Sequence, residues 1–146
     1  MLLLISPYLL AVVISWIVAQ ALKYIFATIK NRKFSSLRQL YLSGSMPSAH
    51  SASVVALLVV IGLIDGIDSA VFGLAALFAA VVMYDAIMVR RSSGEQGAAL
   101  VELIRGLKRP SKTPIHVAKG HTPFEVLGGV AVGAIVGLAV YLVTIG

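Results

Sequence analysis

Cysteine is absent from the 146 residues, so disulfides, thiolate nucleophiles and thiolate metal sites are all excluded. Charge is scarce too: Asp, Glu, Lys and Arg make up 12% of the chain, and only six of these residues are acidic. Two of the six, Asp65 and Asp68, sit together in a short turn between apolar runs. The remainder leave little for a two-metal clamp, and no metal or other cofactor is expected, the alternative being a divalent-metal hydrolase with His121 and Glu125 as ligands. The shortage of acids leaves a net charge of +6, a balance that in a soluble chain suggests nucleic acid. Here the basic residues flank apolar segments and are not interleaved with aromatics as in a single-strand binder, so nucleic acid is not the expected partner. Anionic lipid or phosphate fits better. Hydrophobic residues make up 59% of the chain and mean hydropathy is +0.97, well outside the soluble range. Such a composition belongs to an integral membrane protein.

Apolar stretches near the roughly 20 residues needed to cross a bilayer run over about 4–28, 48–64, 69–89 and 123–145. The first lacks the basic start and the small-residue cleavage site of a secretory signal, and it reads as a retained helix. Ile64-Asp65-Gly66-Ile67-Asp68 is too short for anything but a tight hairpin. Beyond Ser92 the chain is polar. Ala98, Leu100, Val101, Leu103, Ile104 and Leu107 recur there at helical spacing, which predicts an interfacial amphipathic helix ending before Pro110. The expected fold is therefore all-α: one polytopic membrane domain over residues 1–146, with about four transmembrane helices and an interfacial helix.

Four spans in series put both termini on one side and the 29–47 and 92–122 loops on the other. Lys23, Lys30, Arg32, Lys33, Arg38, Arg90, Arg91, Arg105, Lys108, Arg109, Lys112 and Lys119 all lie on the loop side or at span ends facing it. By the positive-inside rule that side is cytoplasmic, in the cell membrane. In the last span Gly129, Gly133 and Gly137 form a stripe at four-residue spacing. Such a stripe lets another backbone approach, either within the bundle or between the protomers of a homodimer.

The same topology collects three polar motifs at one membrane face: MPSAHS at the start of the second span, VRRSSGEQ at the end of the third, and GHTPFE at the start of the fourth. Lys23 and Arg32 join them from the end of the first span. In GHTPFE, Pro123 suits the first turn of a helix, and His121 and Glu125 are four apart. A carboxylate on one imidazole nitrogen leaves the other free as nucleophile or base, although a capping or surface histidine has the same spacing. Ser48 is placed to cap the second span, whose open N–H groups favour an anion. His50 lies one turn inside, where it is either an interfacial residue or a proton donor. Arg90 and Arg91 serve as charge anchors or as phosphate ligands. Asp85, about a turn earlier, needs a basic partner, and Lys23 forms a polar strip with Gln20. His116 belongs to a loop.

These motifs, SGSMPSAHSA, DAIMVRRSSGEQ and GHTPFEV with an early Gln-x-x-Lys, resemble the divergent branch of the type 2 phosphatidic acid phosphatases, relatives of acid phosphatases and vanadium haloperoxidases. The resemblance covers nearly the whole chain. It implies that His50, in Pro47-Ser48-Ala49-His50, is the general acid, and that His121 is the nucleophile with Glu125 in the aspartate position. Ile115 stands where the wider superfamily has an arginine, so Arg90 or Arg91 would supply that guanidinium from another span. Lys23 matches the superfamily lysine, whereas Arg32 lacks the proline that normally follows. Ile87 and Met88 stand where the divergent branch has glycine.

The resulting expectation is a metal-independent lipid phosphate monoesterase acting through a phosphohistidine. His121, His50 and Glu125 would be catalytic, Lys23, Arg32, Ser48, Arg90 and Arg91 would hold the phosphoryl group, and Asp85 would support an arginine. Phosphatidylglycerol phosphate, phosphatidic acid and a polyprenyl phosphate are all candidate substrates. The rival expectation is a noncatalytic protein that grips anionic lipid or assists membrane assembly. A transporter subunit is disfavoured, because the charges gather at one interface and no inverted repeat surrounds a midplane site.

Overall fold

A computed structural model of the chain describes residues 6–31, 46–106 and 120–146, all of whose regular structure is helical. Arg32, Ile115, His116 and the expected end of the amphipathic helix near Pro110 lie outside the described residues. Helix α1 is Pro7–Asn31, α2 is Ala49–Ile64, α3 is Ala70–Tyr84, α4 is Arg90–Gly106 and α5 is Pro123–Thr144. A π-helical turn, Asp85–Val89, joins α3 to α4 without a break.

Local chemistry accounts for the ends. Pro7 opens α1, where its missing N–H is one that no helix would satisfy. Ser48 caps α2 and Ser69 caps α3, the latter accepting from the Phe72 N–H at 3.1 Å. Between them Gly66, at φ +87°, takes a left-handed conformation costly for any residue with a side chain. Tyr8 Oη donates to Asp65 Oδ2 at 2.7 Å and ties the start of α1 to this hairpin.

Among the described residues, three stretches are long and apolar enough to cross a membrane: Pro7–Ile29, Ala70–Gly106 and Pro123–Thr144. Ala49–Ile64 is apolar but shorter, with 16 residues, or about 24 Å at ~1.5 Å per residue. It is the centre of the bundle, and α1, α3 and α5 all pack against it. The expected bundle is thus present, with its second helix enclosed by the others. One helix boundary differs: the helix of the third span does not end near residue 89. Arg90–Gly106 is an amphipathic segment as read from sequence, but it prolongs α3 into a single helical rod of 37 residues. Hydropathy marks where a helix leaves apolar surroundings, not where its hydrogen bonds stop.

The packing is that of a membrane bundle. Small residues are buried, with Ala11, Ala19, Ala52 and Ala56 fully enclosed, while Leu74, Phe78, Leu127 and Ile135 point outward. Lipid tails are as apolar as leucine, so close backbone approach rather than exclusion of oil from water holds such helices together. The glycine stripe does this inside one chain. A Cβ on Gly129 would lie 2.5 Å from the Ser48 carbonyl oxygen, one on Gly133 would lie 2.9 Å from Val55 Cβ, and one on Gly137 would lie 2.8 Å from the Ala56 carbonyl oxygen. The seam is therefore between α2 and α5, and it sets the start of α2 against the first two turns of α5.

Candidate active site

At the start of α5, Thr122 and Glu125 form a capping box. The Thr122 side chain accepts from the Glu125 N–H at 3.4 Å, and Glu125 Oε2 accepts from the Thr122 N–H at 2.9 Å. The same Oε2 lies 3.1 Å from His121 Nδ1. Because this oxygen already serves as an acceptor, the proton of that contact belongs on Nδ1, which leaves the Nε2 lone pair free. His121 is 7% exposed. Burial holds its imidazole below the ordinary value; the Glu125 hydrogen bond and charge oppose that effect, and the Lys23 and Arg90 charges reinforce it. A neutral imidazole with a fixed tautomer and one unshared pair is suited to nucleophilic attack.

Two backbone hydrogen bonds bring the other motifs here. The Ser48 N–H donates to the Glu125 carbonyl at 3.0 Å, joining the start of α2 to the first turn of α5. The His121 N–H donates to the Ala86 carbonyl at 2.9 Å, joining the segment before α5 to the π-helical turn. His50, exposed one residue inside α2, falls under the charges of Arg90, His121, Lys23 and Asp85. Lys23 is buried in α1 and feels the charge of Glu125. Its place in the bundle is a polar position served by this cluster, since an ammonium group in an apolar bundle needs charged company.

The adjacent arginines separate. Arg90 Nε lies 2.6 Å from Asp85 Oδ2 and its charge reaches both histidines, whereas Arg91 is 65% exposed and pairs with Glu95 at 3.2 Å. Ser48 is fully buried and its Oγ accepts from the Ser51 hydroxyl at 3.0 Å and the Ser51 N–H at 3.4 Å. Its hydroxyl is thus engaged in the cap, and an anion at this helix start would meet backbone N–H groups first. The structure thus brings Lys23, His50, Asp85, Arg90, His121 and Glu125 to one end of the bundle. Among the described residues, no group of three or more His, Asp or Glu side chains is arranged to hold a metal ion.

Two contributors carry no side-chain chemistry and escaped the sequence reading: the Ala86 carbonyl, and Gly120, whose Cβ would fall 2.5 Å from the Arg91 backbone nitrogen. The glycine immediately before His121 was the available signal, since it permits this close approach.

One family model, which describes the divergent PAP2 family, matches residues 4–136, a range that contains all three motifs. The chain belongs to the divergent PAP2 family. A Bacillus subtilis (strain 168) relative, described as the uncharacterized membrane protein YuiD, is 33% identical over 110 residues, covering 66% of this chain and 70% of the relative. No solved structure matches. Membership in the divergent PAP2 family agrees with the helical membrane fold and suggests a PAP2-related membrane function.

Proposed function

We propose that this divergent PAP2 protein hydrolyses a lipid phosphate monoester, such as phosphatidylglycerol phosphate, phosphatidic acid or a polyprenyl phosphate, without a metal. The observation that carries the proposal is the pairing of buried His121 with half-buried Glu125, held at 3.1 Å under the charges of Lys23 and Arg90 and near His50. His121 Nε2 attacks phosphorus as the phosphorus–oxygen ester bond breaks, and His50 gives its proton to the leaving alkoxide. His50 then takes a proton from water as the oxygen attacks the phosphohistidine, the phosphorus–nitrogen bond breaks and inorganic phosphate leaves.

Lys23 and Arg90, with the N–H groups at the start of α2, stabilise the phosphoryl oxygens as charge accumulates. Asp85 steadies Arg90, and Ser48 acts by holding the start of α2 in place. Arg32 would add a further cation from the end of α1. Arg91 is left to the membrane surface. The basic face is assigned to the cytoplasm, with both termini opposite, on the distribution of Lys and Arg.

The test is phosphate release by purified protein in detergent from a panel of lipid phosphates, with EDTA and orthovanadate arms and His121→Ala as control. Release that survives EDTA, falls with vanadate and vanishes in the variant is the expected result. Absence of release across the panel, with lipid binding retained after loss of both histidines, would favour the noncatalytic lipid-binding reading.

A further inference from the structure

The π-helical turn does more than lengthen a helix. Its Arg90 N–H donates to the Asp85 carbonyl, five residues back. In an α-helix that donor would go to Ala86, the fourth residue back. The displaced bond leaves the Ala86 carbonyl for a donor from outside the helix, and the His121 N–H takes it at 2.9 Å. One residue earlier, Gly120 lies so close to Arg91 that a Cβ would come within 2.5 to 2.9 Å of its backbone nitrogen, Cα and Cβ. The segment carrying His121 is therefore seated backbone to backbone on the turn that also presents Arg90. Asp85, at the head of the same turn, holds Arg90 at 2.6 Å.

We infer that the π-helical turn is a positioning device, in which the Ala86 carbonyl and Gly120 fix His121 relative to the Arg90 guanidinium. The kinetic part of this inference rests on the phosphatase reading; the structural part does not. Ala86 and Gly120 act through His121 and touch no substrate.

Two variants attack the seat from opposite sides. Deleting Ile87 makes Arg90 the fourth residue after Asp85, so that an ordinary α-helix forms, the Asp85–Arg90 pair survives at i,i+4 spacing, and the Ala86 carbonyl is taken by the Arg91 N–H. Gly120→Ala leaves the helix untouched and pushes the His121 segment away from it. Amide hydrogen exchange in detergent micelles reads the seat directly. In the wild-type protein the His121 amide should exchange at least ~100-fold more slowly than in an unstructured peptide, and both variants should speed it at least ~10-fold. The Val126 amide, which donates to the Thr122 carbonyl within α5, should not change.

In turnover, kcat should fall at least ~10-fold, with KM within about twofold, because a displacement of about 1 Å costs on the order of 100-fold in well-aligned chemistry. A wild-type His121 amide that exchanges like a free loop overturns the inference, and so does a Gly120→Ala protein with unchanged protection and kcat. If the deletion variant fails to fold, wild-type exchange and Gly120→Ala still decide. A wild-type protein with a protected His121 amide that releases no phosphate overturns the phosphatase reading and leaves the seat standing.

Discussion

Glu125 offers a way to separate charge from geometry. Both hydrogen bonds to its carboxylate, from Thr122 N–H at 2.9 Å and His121 Nδ1 at 3.1 Å, converge on the same oxygen, Oε2. An amide oxygen placed there accepts both, so Glu125→Gln preserves the cap and the His121 tautomer while deleting the negative charge. The loss is then the difference between a charge-assisted and a neutral hydrogen bond, about 1–1.4 kcal/mol, or roughly 5- to 10-fold in rate. Glu125→Ala removes the acceptor altogether. The ring is then free to rotate and to shift its proton to Nε2, and the expected loss is on the order of 100- to 10,000-fold.

Single-turnover phosphate release from a lipid phosphate monoester in mixed micelles, at saturating enzyme, gives the comparison without interference from product release. The expected order is wild type, then Gln within about tenfold, then Ala far below. Equal loss in the two variants would refute the reasoning, because it would mean that the charge of Glu125, and not its hold on the imidazole, is what matters.

Three further outcomes follow. Burial depresses the His121 value, so the acid limb of kcat/KM should lie below the ordinary imidazole value of about 6.5. The unfolded chain binds this proton first as pH falls, so the residue's contribution to stability is present above about 6.5 and is lost as pH drops towards the folded value; a limb above 6.5 would contradict this. Arg90→Ala should lower turnover on the order of 100- to 1,000-fold while Arg91→Ala changes it less than about twofold, and a reversed order in the same phosphate assay would place the working guanidinium on Arg91. Gly133→Val should destabilise the bundle by about 1–3 kcal/mol through overpacking against Val55, whereas Gly73→Ala, with nothing within 4 Å, should be neutral or stabilise by up to about 1 kcal/mol; thermal unfolding in one detergent compares them.

The membrane class, the helical bundle and the meeting of three motifs were legible because each depends on composition, run length and simple up-and-down topology. Thr122, Pro123 and Glu125 announced the start of α5 through capping chemistry, which is local. What escaped depends on backbone geometry between elements. The polarity jump at Arg90 reads as the end of a span, yet the hydrogen-bond ladder runs through it by means of one displaced donor. Arg90 and Arg91 also meet different partners, Asp85 and Glu95, a distinction invisible in two identical letters. Ser48 was read as both cap and anion ligand, and the cap is present, its oxygen accepting from Ser51. Whether the glycine stripe faces a neighbouring helix or a second protomer is a matter of tertiary placement, which periodicity alone does not carry.

The α2–α5 seam also has a consequence at the level of the gene. Every missense change in a glycine codon installs a larger residue, and at Gly129, Gly133 and Gly137 each such residue meets the backbone or a Cβ of α2 at 3.0 Å or less. No conservative replacement exists at these positions. A saturation mutagenesis map of this chain would show intolerance recurring every fourth codon along α5, against a permissive background on the lipid-facing side of α3.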